Sequence, residues 1–143
     1  MNEANSNGYD FQSGNGVLFA AGSMWEGVDL PGDILSSLII VKLPFPVPDP
    51  ISEYEETLYE TVEEYKNSVV VPEMIVMLKQ GAGRLIRSET DTGVVAILDC
   101  RVRRGGRYRE RVLTCFPGCR VTAETNKVQQ FISRVKKPAY FVT

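Results

Sequence analysis

Leu38-Ile39-Ile40-Val41, closed two residues later by Leu43-Pro44-Phe45-Pro46-Val47-Pro48-Asp49-Pro50, is the stretch on which the fold turns. Four consecutive branched apolar side chains suit a strand covered on both faces, as in a parallel sheet. The prolines that follow cannot donate to a sheet ladder or continue a helix, so the strand must leave the sheet as a stiff extended loop. Two further runs have the same character: Val17-Leu-Phe-Ala-Ala21, ending at Gly22, and Val94-Val-Ala-Ile-Leu98, ending at Asp99.

Helical periodicity lies between these runs. Ile51, Tyr54, Leu58, Val62 and Tyr65 recur at spacings of three and four, with six glutamates on the other faces, and predict one amphipathic helix over 51–68. Pro72 and Glu73 suit the first turn of a second helix running to about Ser88, with Met74, Leu78, Ala82 and Leu85 as its apolar stripe. Short helices are expected near 108–115 and over 126–135. Strands alternating with helices define an α/β layer with a mostly parallel sheet. Three strands make a narrow sheet, which hints that the sheet continues in something else. Residues 1–16 read as a polar, flexible lead-in, and 17–143 as one folded segment.

Composition sets the outer limits. The 143 residues are 43% hydrophobic and 24% charged, as expected of a globular domain rather than a disordered or collagenous chain. No apolar run approaches the ~20 residues of a membrane span, and the polar start does not read as a signal peptide. The expected address is cytoplasmic, with no membrane partner. The net charge of −2 conceals an asymmetry. Residues 1–72 hold two lysines against 12 acidic residues, net −10, and residues 73–143 hold 14 basic against 6 acidic, net +8. A basic half suggests a polyanion on one side of the molecule; a solvated acidic helix beside an ordinary basic surface accounts for the same numbers. There is no histidine, so no Ser-His-Asp or Cys-His arrangement can form. Cys100, Cys115 and Cys119 read as reduced, buried or partly buried thiols, too few for a four-ligand zinc site.

Three segments carry candidate chemistry. In Gly22-Ser-Met-Trp-Glu-Gly27-Val-Asp29-Leu-Pro-Gly32, glycines permit close backbone approach, and Glu26 and Asp29 offer acceptors for ribose hydroxyls or a metal-bound water. The Gly22-to-Gly27 spacing is that of a P-loop, but Val28-Asp29 stands where Lys and Ser or Thr are required. A Gly/Pro turn anchored by Trp25 is the competing reading. In Gln80-Gly-Ala-Gly83-Arg84-Leu-Ile-Arg87, the polar side chains at 80, 84 and 87 fall within roughly 60° on a helix, where two guanidiniums can grip phosphate oxygens. Gly81 and Gly83 each cost a helix interior about 1 kcal/mol, which asks for close packing or a nearby ligand. In Arg101-Val-Arg-Arg-Gly-Gly-Arg-Tyr-Arg-Glu-Arg111, six arginines flank Tyr108, a pattern suited to a nucleic-acid backbone and a stacked base, or to a mobile basic loop.

Phe19-Ala-Ala-Gly-Ser-Met-Trp-Glu-Gly-Val-Asp-Leu-Pro-Gly32 resembles motif V of the DinG/XPD-type superfamily 2 DNA helicases, and Gln80 to Gly93 resembles their motif VI. Leu43-Pro-Phe-Pro and Asp99-Cys-Arg101 are also similar to that family, so the resemblance runs from about Val17 to Pro117. It implies the C-terminal part of the second RecA-like motor domain, a partial P-loop-NTPase-type fold. In the family ATP lies between two such domains. The resemblance implies catalytic roles for Arg87 as the arginine finger, with Arg84 and Gln80 lining the cleft. Glu26, Gly27, Asp29 and Gly83 would lie by the nucleotide, and Ser23, Trp25, Arg103, Arg104 and Arg107 by the nucleic acid. ATP and Mg²⁺ are expected in the intact parent, with none held by this chain alone. The Walker A motif, the acidic Mg²⁺ motif and the iron–sulfur cluster of some members belong to the first motor domain. That domain is therefore the expected partner, with single-stranded DNA, which the parent would travel 5′ to 3′. The chain is expected to be a piece of a longer protein, inactive alone and prone to self-association through an exposed sheet edge. A stand-alone, non-catalytic binding module with a helicase-derived fold is the alternative.

Overall fold

The computed structural model describes residues 35–83, 85 and 91–136. The strand expected at 17–21, the glycine-rich loop after it and the lead-in lie outside the described residues.

Two strands pair: β1, Ser37–Ile40, and β2, Val94–Ile97. The Val94 amide donates to the Ser36 carbonyl at 3.1 Å and the Leu98 amide to Ile40 at 2.9 Å, so donor and acceptor advance together and the pair is parallel. All of the intervening helices lie in the crossover between them. The expected two-sided burial does not hold. Ile40 is buried, but Ile39 is 62% exposed and Leu98 63%, and β2 is only half-buried along its length. Successive side chains point to opposite faces, so Leu38 and Ile40 face inward while Ile39 and Val41 face out.

Asp49 starts α1, Pro50–Glu56. Its carboxylate accepts from the Ile51 and Ser52 amides at 3.1 and 2.8 Å, while its own amide donates to Ser52 Oγ at 2.8 Å. The single helix expected over 51–68 is in fact broken at 57–61. Thr57 turns its hydroxyl back onto the Tyr54 carbonyl at 2.6 Å, and Thr61 caps a new helix, α2, Val62–Tyr65, by accepting from the Glu64 amide at 3.1 Å. The expected apolar stripe is correspondingly unused: Ile51 is 78% exposed and Tyr54, Leu58 and Val62 are exposed, leaving Tyr65 as its one buried member.

α2 continues through one wide π-helical turn, Lys66–Val70, into α3, Val71–Ala82. Pro72 therefore lies inside a continuous helical rod rather than at a start. The π turn accommodates it. The Val71 amide reaches back five residues to the Lys66 carbonyl. In that register the amide Pro72 lacks would have served Asn67, whose carbonyl instead receives Arg111 Nη1 at 3.5 Å. α3 ends six residues before the expected Ser88; Gly81 and Gly83 at its end explain the early stop.

β2 leads to a 3₁₀ turn, Cys100–Val102, then α4, Arg109–Leu113, and α5, Thr125–Val135. The chain forms two compact units. One comprises Ile40–Gln80 with Ile97–Gly118; its buried side chains are led by Val71, Met74, Leu78 and Val112, with Leu43, Tyr65 and Tyr108. Met74 and Leu78 are buried on one face of α3 as the stripe predicts, Ala82 is half-buried, and Val71, which the stripe did not include, extends the same face by one turn. The described part of the other unit comprises 35–39, 81–83, 85, 91–96 and 119–136. There Leu85 is buried, and a Cβ on Gly93 would fall 2.6 Å from its Cδ1. Among the described residues no helix is long and apolar enough to cross a membrane.

Candidate functional site

Both strand exits meet on one carboxylate. Asp99, just past β2, is buried, and its Oδ2 accepts the Leu43 amide from the exit of β1 at 3.0 Å. Its Oδ1 accepts the Arg101 amide at 3.0 Å and Arg101 Nε at 2.9 Å, while Arg101 Nη2 reaches Oδ2 at 2.6 Å. The Arg101 hydrogen bonds hold the Asp99 carboxyl well below the usual carboxylate range, helped by the Leu43 amide and opposed by burial. The same guanidinium lies 4.6 Å from the centre of the Phe45 ring and 5.8 Å from that of Tyr108; the two rings are 5.3 Å apart and tilted by 54°. Thus Leu43-Pro-Phe and Asp99-Cys-Arg101, similar to one family in sequence, form one three-dimensional bracket.

The arginine-rich segment beyond it folds into hydrogen-bonded turns. The Gly106 amide closes onto the Arg103 carbonyl at 2.7 Å and the Tyr108 amide onto Arg101 at 3.1 Å. Gly105 takes φ +74°, and a Cβ on Gly106 would sit 2.3 Å from the Arg101 carbonyl oxygen. The six arginines are not equivalent. Besides Arg101, Arg107 stacks over Tyr108 at 5.3 Å and pairs with Glu63. That hydrogen bond lowers the Glu63 pKa and raises that of Arg107. Arg109 donates to the Val102 carbonyl at 3.3 Å and Arg111 to Asn67. Arg103 and Arg104 are exposed and form no ion pair with any described residue.

Of the residues expected at a nucleotide, Gln80 is exposed near the end of α3, and Gly83 is exposed in the turn just after it, where the Leu85 amide donates to Ala82 at 3.0 Å. Ser23, Trp25, Glu26, Gly27, Asp29, Arg84 and Arg87 lie outside the described residues. The thiols depart from expectation. Cys100, in the 3₁₀ turn, and Cys119, just after the turn at Gly118, are exposed, and only Cys115 is partly covered, which raises its pKa. No group of three metal-ligating side chains occurs among the described residues. Sequence reasoning missed the Lys66 and Glu63 contributions to this region; the Thr61-x-x-Glu64 capping pattern, which sets the phase of the helix carrying them, was the available signal.

A parallel strand pair with a helical crossover defines a small α/β layer, with the bracket at its strand exits. The family model for the helicase C-terminal domain matches residues 2–118. The chain is 44% identical over 123 residues to the ATP-dependent DNA helicase YoaA of Haemophilus influenzae, covering 81% of this chain and 18% of that protein. It is 44% identical over 105 residues to the ATP-dependent DNA helicase DinG of Photobacterium profundum, covering 71% and 15%. It is 36% identical over 116 residues to the 3'-5' exonuclease DinG of Bacillus subtilis, covering 80% and 12%. The chain belongs to the helicase C-terminal domain family, as a DinG-type C-terminal region. It spans less than a fifth of the length of these relatives.

Proposed function

We propose that this chain is the motif V and motif VI portion of an ATP-dependent DNA helicase, completing an ATP site shared with a first RecA-like motor domain. The observation that carries the reading is 44% identity over four-fifths of the chain to a relative named an ATP-dependent DNA helicase. The exposed end of α3 supports it: the Gln80 amide is open to solvent, and Arg84 and Arg87 follow directly along the chain.

In this reading Arg87 neutralises charge on the γ-phosphate as it transfers, with Arg84 and Gln80 beside it. Such a finger contributes ~10³–10⁵ in rate. Glu26, Gly27, Asp29 and Gly83 lie around the nucleotide. Mg²⁺ and most phosphate contacts fall to the other motor domain, so closing and opening the cleft couples hydrolysis to movement along single-stranded DNA. Ser23 and Trp25 contact the strand together with the arginine segment, within which Arg103 and Arg104 have the open guanidiniums. The exposed Ile39, Val41 and Leu98 on the strand pair support self-association of the chain when alone.

ATP turnover by the chain mixed with a separately produced first motor domain tests the assignment. Turnover that collapses with Arg87→Ala supports it; turnover indifferent to that change contradicts it. The reading as a stand-alone binding module is favoured by one feature, the exposed Arg103 and Arg104, which form no ion pair with any described residue. It predicts salt-sensitive binding of single-stranded DNA with no turnover in any mixture.

A further inference from the structure

Within the unit formed by 40–80 and 97–118, a groove of about 210 Å³ opens beside the bracket. Val70 contributes apolar surface, Phe45 and Tyr108 the aromatic walls, and Lys66, Arg101 and Arg107 the cations. Two features set it apart from an ordinary basic surface. First, the backbone on one side is the π turn Lys66–Val70, which supplies both Lys66 and Val70; wide turns of this kind occur disproportionately at functional sites. Second, both arginines are pre-positioned. Arg101 is fixed by Asp99 and by the Phe45 ring, yet its side chain is 42% exposed; Arg107 is stacked on Tyr108 and is 53% exposed. Guanidiniums already held in place lose little further freedom on gripping an anion.

Three cations face two carboxylates here, Asp99 and Glu63, leaving the groove net positive. Asp99 engages Nε and Nη2 of Arg101, which leaves Nη1 to donate; Glu63 engages only Nη2 of Arg107. The outer face of the Arg107 guanidinium is a platform on which a base can stack. The volume holds about one nucleotide unit, far less than a duplex. Arg103 and Arg104, exposed on the neighbouring turn, give a strand leaving the groove a continuing positive track.

We propose that this groove seats one phosphodiester of a single-stranded nucleic acid, gripped by Lys66, Arg101 and Arg107, with Glu63 as a built-in competitor for Arg107. The proposal deepens the nucleic-acid part of the function above. It fails independently of the ATP site, because its readout involves neither ATP nor Arg87.

The test is fluorescence anisotropy of a labelled 12-residue oligo(dT) titrated with the whole chain across a salt series. Lys66→Glu should weaken binding and lower the magnitude of the log–log salt slope by about 0.7, the value for one lost phosphate contact on a single strand. Glu63→Gln should tighten binding a few-fold, an outcome that misfolding cannot produce. In a second arm, unlabelled thymidine monophosphate and inorganic phosphate should compete only at far higher concentration than unlabelled oligo(dT). Unchanged affinity and slope in Lys66→Glu, or no gain in Glu63→Gln, would overturn the site. Equal competition by the mononucleotide would overturn the strand as its occupant.

Discussion

Replacing Asp99 by alanine removes the carboxylate that joins the backbone at the exit of β1 to Arg101 beyond the exit of β2. The Leu43 amide, buried and 3.0 Å from Oδ2, loses its acceptor, and an unsatisfied buried amide costs about 1–3 kcal/mol. The Arg101 guanidinium loses both of its charged contacts. Because it is 42% exposed, water recovers most of that interaction, and about 1 kcal/mol is assigned to it after screening. The expected loss is about 2–4 kcal/mol, or roughly 5–12 °C in Tm for a chain of this length. Asp99→Asn keeps one oxygen for the Leu43 amide and should fall between wild type and alanine. The sign of the pH dependence follows from the depressed native pKa. The carboxylate contributes stability above its unfolded value of 3.8, and that contribution drains away as the pH falls through the lower native value. The gap between wild type and Asp99→Asn should therefore be constant near neutrality and shrink below about pH 4. Urea unfolding followed by circular dichroism at 222 nm, at pH 7 and pH 3, reads both effects. An unfolding free energy of Asp99→Ala within about 0.5 kcal/mol of wild type at pH 7, the usual scatter of surface changes, would refute the bracket.

Two further consequences are local. Gly106→Ala forces a Cβ to within 2.3 Å of the Arg101 carbonyl oxygen and should loosen the turn that carries Arg103 and Arg104, visible as faster amide hydrogen exchange at Tyr108. Gly105→Asn, which tolerates positive φ, should leave that exchange nearly unchanged. Under a thiol-reactive reagent at pH 8, Cys100 and Cys119 should label quickly and Cys115 slowly, since burial covers it and raises its pKa. Equal rates at all three would contradict the packing around α4.

The sequence carried the order of elements and the inner face of α3 because both rest on periodicity. Met74 and Leu78 recur as a helix face must, and both are fully buried. It was misleading over 51–65, where the same periodicity continued across a break. There Thr57 and Thr61 act through local hydrogen bonds to Tyr54 and Glu64, and these override an apolar stripe that stays exposed up to Val62. Four apolar residues at Leu38–Val41 suggested burial on both faces, but an apolar run records what a strand tolerates rather than what lies against it. Pro72 looked like a helix start because a wide turn that absorbs a proline has no sequence signature of its own. For the site, Asp99 and Arg101 were legible as a family pattern, whereas their shared use of Leu43 and Phe45 depends on contacts 56 residues apart. The groove with Lys66 draws on three separate segments and could not be assembled from spacing.

The most direct measurement of the central claim is steady-state ATP hydrolysis in the presence of single-stranded DNA. It compares the chain alone, a separately made first motor domain alone, and the two mixed. The account predicts no turnover by the chain alone and turnover on mixing that falls by ~10³-fold or more with Arg87→Ala. Turnover by the chain alone, or a mixture in which Arg87→Ala is as active as wild type, would contradict it.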